Sequence, residues 1–193
     1  MYYLVNEWSL DDERLRKDLE QIGLPIQSLQ LENILDSIFF NQKVDSPLHM
    51  TSLPLPSFWE VCANGDIVSD GVRRGKIDCF QDRPQRVKKV DWYDPDGHCS
   101  VSDHYDRSGS LFLKEVWSAD ERHLSIYTND RMGKLYLFHQ HDRAIYQAID
   151  GLEQGFSSIE DAKKALLQEA LLQAESVFLS DPELLKALPK LEK

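Results

Sequence analysis

The sequence lacks the signatures by which most enzymes are recognised. It contains no glycine-rich phosphate loop, no GxSxG nucleophile motif and no HExxH zinc motif. Of its six histidines, only His139 and His141 form a closely spaced pair, with Asp142 beside them. Because nothing else in the sequence completes a metal-ligand set around that pair, we predict no metal site, no bound cofactor and no catalytic residues.

Cysteines, long apolar runs and positive charge are also scarce. The three cysteines, Cys62, Cys79 and Cys99, form no CxxC pair, which argues against a disulfide framework and favours a reducing compartment such as the cytoplasm. No apolar stretch approaches the roughly 20 residues that span a bilayer. Lys and Arg number 22 against 33 Asp and Glu, and the net charge of −11 argues against a nucleic-acid partner, because phosphate contacts supply most of that affinity.

The beginning of the chain has the pattern of an α/β unit. Residues 2–5 and 25–32 are rich in strand-forming residues. Between them, Ser9 and Asp12 form a capping box that predicts the start of a helix. Residues 34–40 fit either a helix or a strand, and we favour a short helix. The strand–helix–strand order of residues 2–32 is that of an α/β unit with a parallel sheet.

The end of the chain returns to the same pattern. Ser158 begins a predicted helix, residues 176–180 read SVFLS and predict a strand, and Pro182 marks the first turn of another helix. We therefore assign residues 1–45 and 150–193 to a partial, Rossmann-like α/β unit. We also expect the polypeptide to continue, because another strand would follow the last predicted helix.

The middle of the chain follows a strand period of two. Residues 45–57 carry three prolines and predict a connection, after which the hydrophobic period changes at Phe58. Strands of about five or six residues then alternate with turns rich in Asp, Asn, Pro and Gly. The Asn64-Gly65 pair predicts a two-residue type I′ hairpin turn. We predict that residues 58–139 form one antiparallel β-meander inserted into the α/β unit, an α+β fold.

Aromatic residues recur along this meander at the spacing of the strands. Tyr93, Tyr105 and Trp117 follow one another at intervals of twelve residues. Such residues either pack into a core or form an outward platform for an extended ligand, and the sequence leaves both readings open. The candidate residues for acceptor or partner binding are Trp92, Tyr93, Tyr105, Trp117 and Tyr127. The edge strands offer a second route, because an extended peptide can add to an open sheet edge.

One short segment departs from the overall negative charge. Seven basic residues lie between positions 73 and 89, opposed there by two aspartates. The segment is either a solvated strand edge or an anion contact. The candidate anion-binding residues are Arg83, Arg86, Lys88 and Lys89.

Taken together, several motifs resemble a known domain. The segments LPSFWEV, RVKKVDWYDPDG, HYDRSG and YTNDRMGKLYL resemble the extended β-sheet domain of certain bacterial GT-B glycosyltransferases. These enzymes include teichoic-acid α-glucosyltransferases and the two-subunit O-GlcNAc transferase of the accessory Sec pathway. Residues 5–15, VNEWSLDDERL, contain no glycine, whereas catalytic relatives usually have a glycine-rich loop after the first strand. The resemblance is therefore strongest to the non-catalytic stabilising subunit.

The resemblance implies a function as well as a fold. It implies an accessory subunit that pairs with a catalytic glycosyltransferase and helps to hold serine-rich adhesins in the cytoplasm, with peripheral association of the complex at the membrane. Two alternatives stay open: the acceptor-binding region of a poly(glycerol-phosphate) α-glucosyltransferase, which would give the basic segment a purpose, and a β-rich interaction scaffold unrelated to glycosylation.

Overall fold

A computed structural model describes residues 2–6, 26–30, 34–40, 46–119, 121–172 and 176–179. The chain divides into two compact units. One unit comprises Met1–Ile38 with Glu160–Lys193, and the other comprises Phe39–Ile159. In the part of the chain that the structure describes, no helix combines the length and apolar character needed to cross a membrane.

The first unit contains a parallel three-stranded sheet. Its strands are β1 (Tyr2–Asn6), β2 (Ile26–Gln30) and β13 (Ser176–Leu179), and β1 lies between the other two. These strands confirm the predictions for both ends of the chain, including the strand at 176–180 that interrupts the helical pattern. The helices predicted after Ser9 and near Pro182 lie outside the described residues.

Two helices accompany this sheet in the sequence. Helix α1 spans Ile34–Phe39 and helix α2 spans Ile159–Leu172. The helix predicted at residues 34–40 is thus confirmed, and α2 begins next to Ser158 as its capping box predicts. Each helix buries one apolar stripe, as the 3.6-residue period requires. The buried residues of α2 are Ala162, Leu166, Leu167, Ala170 and Leu171.

The second unit is built around one antiparallel sheet of ten strands. The strands follow one another in chain order from β3 at one edge to β12 at the other, so the sheet is an open meander. They are β3 (Glu60–Val61), β4 (Asp66–Ser69), β5 (Val72–Phe80), β6 (Arg83–Tyr93), β7 (Cys99–Tyr105), β8 (Leu111–Ser118), β9 (Glu121–Asn129), β10 (Gly133–Phe138), β11 (Arg143–Ala148) and β12 (Glu153–Phe156).

The sheet is longer than the predicted range of residues 58–139. Strands β11 and β12 extend it to Phe156. Strand β12 reads EQGF and has little of the apolar alternation by which a strand is recognised, since its first three residues are exposed. An edge strand is stabilised on one side by the hydrogen bonds of its neighbour and needs no apolar pattern of its own.

Four of the hairpin turns share one geometry, with a glycine in the fourth position of each. In the turn from Asp94 to His98, Gly97 N–H donates to the Asp94 carbonyl and Asp94 N–H donates to the His98 carbonyl. The Asp94 carboxylate also accepts the N–H groups of Asp96 and His98. The same backbone pattern recurs at residues 62–66, 106–110 and 148–152, each with a glycine at positive φ in the fourth position.

The prediction of a two-residue turn at Asn64-Gly65 is therefore wrong. Cys62 N–H donates to the Asp66 carbonyl across a three-residue loop, and of Asn64 and Gly65 only Gly65 has positive φ. Asn64 instead uses its side-chain oxygen to accept the Asp66 N–H at 3.0 Å. This is the three-residue hairpin in which a glycine bulge follows a type I turn.

The two faces of the sheet are buried in different halves. We call them the Trp92 face and the Tyr127 face. In the first half, the Trp92 face carries a core of Ile67, Ile77 and Val90, onto which Leu53 of the proline-rich connection packs. In the second half, the Tyr127 face is the buried one. Its most buried residues are Tyr127, Leu135, Leu137 and Ala144.

Candidate partner-binding surface

The five aromatic candidates do not form one row, because the sheet register divides them between the two faces. Cross-strand partners share a face and successive residues alternate. Trp92 and Tyr105 pack against the core of Ile77 and Val90, which places both on the Trp92 face. The other three candidates, Tyr93, Trp117 and Tyr127, lie on the Tyr127 face.

Trp92 and Tyr105 are structural residues in this arrangement. The Trp92 indole N–H donates to the Asp103 carboxylate at 2.8 Å, and its ring centroid lies 6.4 Å from that of Trp59. Burial, with a smaller contribution from the charge of Asp103, raises the pKa of Tyr105 to about 12. Both side chains therefore hold the proline-rich connection against the sheet.

Tyr127 is also part of a core. Its side chain is 7% exposed, and its ring centroid lies 5.3 Å from that of Phe39, the last residue of α1. A tilted aromatic pair at this distance stabilises the packing beyond its buried area. The prediction that Tyr127 contributes to an outward platform has no geometric support.

Tyr93 and Trp117 are the two candidates on the Tyr127 face that stay partly exposed. Each has an arginine over its ring. The Arg73 guanidinium carbon lies 4.9 Å from the Tyr93 ring centroid, and that of Arg122 lies 5.6 Å from the Trp117 ring centroid. These distances fit cation–π contacts, in which the guanidinium lies over one face of the ring.

Between these two aromatic residues, the Tyr127 face carries a buried polar row. Successive cross-strand neighbours from β5 to β9 are all polar. The row consists of Lys76, Asp91, Ser102, Glu115 and Ser125. Ser102 and Ser125 are each 1% exposed and Glu115 is 6% exposed, so these polar groups are more buried than most apolar residues of the sheet.

Hydrogen bonds and ion pairs compensate the burial of this row. Glu115 accepts from His104 Nε2 at 2.9 Å and from Arg122 at 2.6 Å. Burial acts to raise the pKa of Glu115, but the His104 hydrogen bond and the Arg122 charge outweigh it and lower the pKa. Ser102 donates to the Asp91 carboxylate, which also pairs with Lys89 at 2.8 Å. Glu115 is thus held as a carboxylate at neutral pH.

On the Trp92 face of the second half of the sheet, apolar side chains lie at the surface. The cross-strand row from Trp92 continues there through Val101, Val116, Leu124 and Phe138. The adjacent row runs from Ile126 through Tyr136 to Ile145.

We call this surface the open apolar face. It comprises Val101, Val116, Leu124, Ile126, Tyr136, Phe138 and Ile145. Ile145 is 39% exposed, the other side chains are partly exposed, and none is buried. The surface was missed because, in a strand where apolar and polar residues alternate, the apolar residues are usually the buried ones. Here the polar residues Ser102, Glu115 and Ser125 are buried instead.

The four basic candidates do not converge on a site. Lys89 pairs with Asp91, and Lys88, its neighbour in β6, is exposed. Arg83 and Arg86 line a cavity of about 10 Å³ together with Arg107, which itself pairs with Asp82 at 2.8 Å. A space of that volume holds about one water molecule and is too small for a phosphate.

The histidine pair is likewise separated by its contacts. His139 Nε2 hydrogen-bonds to Ser125 at 2.8 Å, whereas His141 lines a groove beside β12. Within the described ranges, no group of three His, Cys, Asp or Glu side chains is arranged to hold a metal ion.

Comparison with known proteins identifies one family. A family model described as the GtfB middle domain matches residues 59–155, which is half of the 193 residues and includes nearly all of the ten-stranded sheet. The match ends one residue before β12 does, so it supports the assignment of β11 and β12 to the sheet.

Two curated relatives carry the same name. The stabilizing protein GtfB of a UDP-N-acetylglucosamine–peptide N-acetylglucosaminyltransferase from Streptococcus gordonii is 35% identical over 82 residues, covering 40% of this chain and 18% of that protein. The protein of the same name from Streptococcus pneumoniae is 29% identical over 158 residues, covering 73% and 35%. The chain therefore spans about a third or less of the length of these relatives.

Two solved structures share the fold. A crystal structure of a GtfA/B complex bound to UDP and GlcNAc contains a chain that matches with a TM-score of 0.71 at 21% identity, covering 94% of this chain and 44% of that one. A crystal structure of accessory secretory proteins 1, 2 and 3 from Streptococcus pneumoniae matches with a TM-score of 0.69 at 11% identity, covering 100% and 50%. At these identities the likeness establishes the α+β architecture.

Proposed function

Because the chain belongs to the GtfB middle-domain family, we propose that it is the stabilising, non-catalytic subunit of a bacterial O-GlcNAc transferase, or a part of that subunit. In this role it binds a catalytic glycosyltransferase subunit and a serine-rich acceptor polypeptide in the cytoplasm, and the complex associates peripherally with the membrane. The observation that carries the proposal is the family match over the sheet, together with the partly exposed apolar surface on that same sheet.

The open apolar face is the surface that we assign to the catalytic subunit. Its two rows cross five strands, β7 to β11, and strands lie about 4.8 Å apart, so the surface is about 20 Å wide. Monomeric proteins rarely expose contiguous apolar surface of this size without a partner. A stable interface buries about 800 Å² on each side, so these seven side chains would form the apolar centre of a larger contact.

Tyr93 and Trp117 are the members of the aromatic set that we assign to acceptor contact. Both are partly exposed, and each has an arginine over one face of its ring. Aromatic side chains bind an extended polypeptide at low entropic cost, because they have few rotatable bonds. Trp92, Tyr105 and Tyr127 contribute to stability instead, since their rings pack into the two cores.

The chain alone should not transfer sugar. Within the described residues, each titratable side chain of the polar row is engaged in an ion pair: Lys76 with Asp66, Asp91 with Lys89, and Glu115 with Arg122. The relatives are named as stabilizing proteins of the transferase. We expect the purified chain to leave UDP-GlcNAc unchanged, and turnover above a no-protein blank would overturn this part of the proposal.

Acceptor chemistry separates the proposal from the teichoic-acid alternative. A poly(glycerol-phosphate) chain needs converging positive charge, and the dispersal of Arg83, Arg86, Lys88 and Lys89 supports an uncharged acceptor. The direct test is to measure binding of three ligands to the full chain: the catalytic subunit, a serine-rich peptide and poly(glycerol phosphate).

The expected result is binding of the first two ligands. Peptide affinity should be about micromolar or weaker, because a flexible peptide loses entropy on ordering, and it should change little between low and high salt. Binding of poly(glycerol phosphate) alone, with a steep loss at high salt, would favour the alternative. Binding of none of the three would leave the unrelated scaffold.

A further inference from the structure

We propose that the free edge of β12 binds the main chain of an extended acceptor polypeptide, adding a strand to the sheet. This inference rests on the proposed function. It adds a binding site made of backbone groups to the acceptor contacts that we assign to Tyr93 and Trp117. Among the described strands, β12 is the last in the strand order, so one of its sides pairs with β11 and no described strand pairs with the other. Its residues Glu153, Gln154 and Gly155 are exposed.

The register identifies which backbone groups point outward. Ala148 N–H donates to the Leu152 carbonyl at the β11–β12 turn. In an antiparallel pair, hydrogen-bonded positions recur at every second residue. The pairs Tyr146–Gln154 and Ala144–Phe156 are therefore the hydrogen-bonded ones. Glu153 and Gly155 consequently direct their N–H and C=O groups away from β11, toward an incoming strand.

Beside this edge lies an open groove that can take side chains. Its volume is about 750 Å³, and Gly155, Ile145 and Phe138 line it together with Arg143 and His141. A Cβ atom built on Gly155 would meet nothing within 4 Å. Cross-strand pairing of Ile145 with Gly155 leaves Ile145 39% exposed. A residue of the added strand opposite Gly155 would therefore cover Ile145.

The size of the edge favours a transient ligand over a permanent subunit or a second copy. Four residues of strand extend about 13 Å. Two outward residues offer at most four backbone hydrogen bonds, far less than an interface of about 1,600 Å² supplies. An acceptor that must leave after modification suits such a small site. The opposite charges of Glu153 and Arg143 suit an uncharged segment.

A matched pair of substitutions at Gly155 tests the pairing. Gly155→Pro removes the outward N–H, and proline is tolerated in edge strands at positions whose N–H faces solvent. Gly155→Ala keeps the N–H and has room for its methyl group. The probe is a short acetylated and amidated peptide of alternating serine and valine, added to the full chain while backbone amide signals are recorded by NMR.

We expect hydrogen exchange to slow at the Glu153 and Gly155 amides when the peptide is added. We expect Gly155→Pro to weaken peptide binding about tenfold, the effect of losing one or two net hydrogen bonds, and Gly155→Ala to change it less than about twofold. Thermal melting of both variants checks that each is folded. Equal binding by the proline variant, or no binding of the peptide to the parent chain, would overturn the assignment of this edge.

The same samples separate failure of this inference from failure of the proposed function. If the catalytic subunit and a serine-rich peptide bind the parent chain and Gly155→Pro equally well, the edge proposal is wrong and the proposed function stands. If neither binds, the proposed function itself is wrong. Sedimentation that shows self-association of the parent chain, lost in Gly155→Pro, would assign the edge to a second copy and overturn the acceptor proposal.

Discussion

Two glycines in equivalent turns provide a sharp test of how the meander is held together. Gly97 and Gly109 occupy the same position of the same turn, with φ of +89° and +84°. A Cβ atom on Gly97 would meet nothing within 4 Å. A Cβ atom on Gly109 would lie 2.6 Å from the backbone nitrogen of Leu48 and 2.6 Å from the carbonyl oxygen of Ser46. The proline-rich connection therefore crosses directly over the second turn.

The expected cost of alanine differs accordingly. At either position, alanine in the left-handed region costs about 1–2 kcal/mol, partly offset because alanine also restricts the unfolded chain. At Gly97 the free energy of unfolding should therefore fall by about 1 kcal/mol. At Gly109 the methyl group must displace backbone atoms, and overpacking adds about 1–3 kcal/mol. The total expected loss at Gly109 is about 2–4 kcal/mol.

Urea unfolding followed by tryptophan fluorescence measures both losses. Trp59 and Trp92 lie in the core beneath the connection and report its release directly. We expect Gly109→Ala to shift the midpoint at least twice as far as Gly97→Ala. Equal shifts would contradict the close approach of residues 46–48 to the β7–β8 turn.

Three further predictions concern the cores and the polar row. Tyr127→Ala should lower the free energy of unfolding by about 3–5 kcal/mol, measured by denaturation, because it empties the space against Phe39; a loss below about 1 kcal/mol would contradict its burial. Tyr93→Ala should leave the melting temperature within a few degrees of the parent but weaken binding of a serine-rich peptide; unchanged binding would remove Tyr93 from the site. Because the pKa of Glu115 is lowered in the fold, its ionised form stabilises the protein above the unfolded pKa of about 4.3, and this contribution is lost as pH falls through the lower folded value. The stability difference between the parent and Glu115→Gln, measured by urea unfolding, should therefore be largest near pH 7 and shrink in acid; a constant difference would refute the ionised pairing with His104 and Arg122.

The architecture could be predicted because its signals are local. The turn residues and the period of two indicate antiparallel strands without any knowledge of what packs on them. The capping box at Ser158 and the strand composition of residues 2–5, 25–32 and 176–180 did the same for the α/β unit. Strand β12 was missed because it carries no apolar alternation. Its pairing is set by the register of its neighbour, which no pattern within four residues reveals.

The orientation of the aromatic residues could not be predicted, because register shifts accumulate along the sheet. Shifts occur between Trp92 and Tyr93, between His104 and Tyr105, and between Val116 and Trp117. Each lies beside one of the residues spaced twelve apart. A constant interval in the sequence therefore places Tyr93 and Trp117 on one face and Tyr105 on the other.

The open apolar face escaped prediction for a different reason. Valines and leucines that alternate with Ser102, Glu115 and Ser125 indicate an apolar core with polar groups in water. Burial is reversed here, since hydrogen bonds and ion pairs satisfy the polar row. That outcome depends on partners from separate strands, such as His104 and Arg122 for Glu115, and only the assembled sheet brings them together.

The central claim is that the open apolar face binds the catalytic glycosyltransferase subunit, and isothermal titration with that subunit tests it most directly. Leu124 and Ile126 are neighbours on this face, whereas Ala63 and Gln81 are exposed residues of the first half of the sheet. Leu124→Lys with Ile126→Lys places two charges on the apolar surface, and Ala63→Lys with Gln81→Lys adds the same charge in the turns that follow β3 and β5. We predict at least a hundredfold loss of affinity, about 2.7 kcal/mol, for the first variant and parent-like affinity for the second. If the first variant melts as a folded protein and still binds as tightly as the parent, the claim is contradicted.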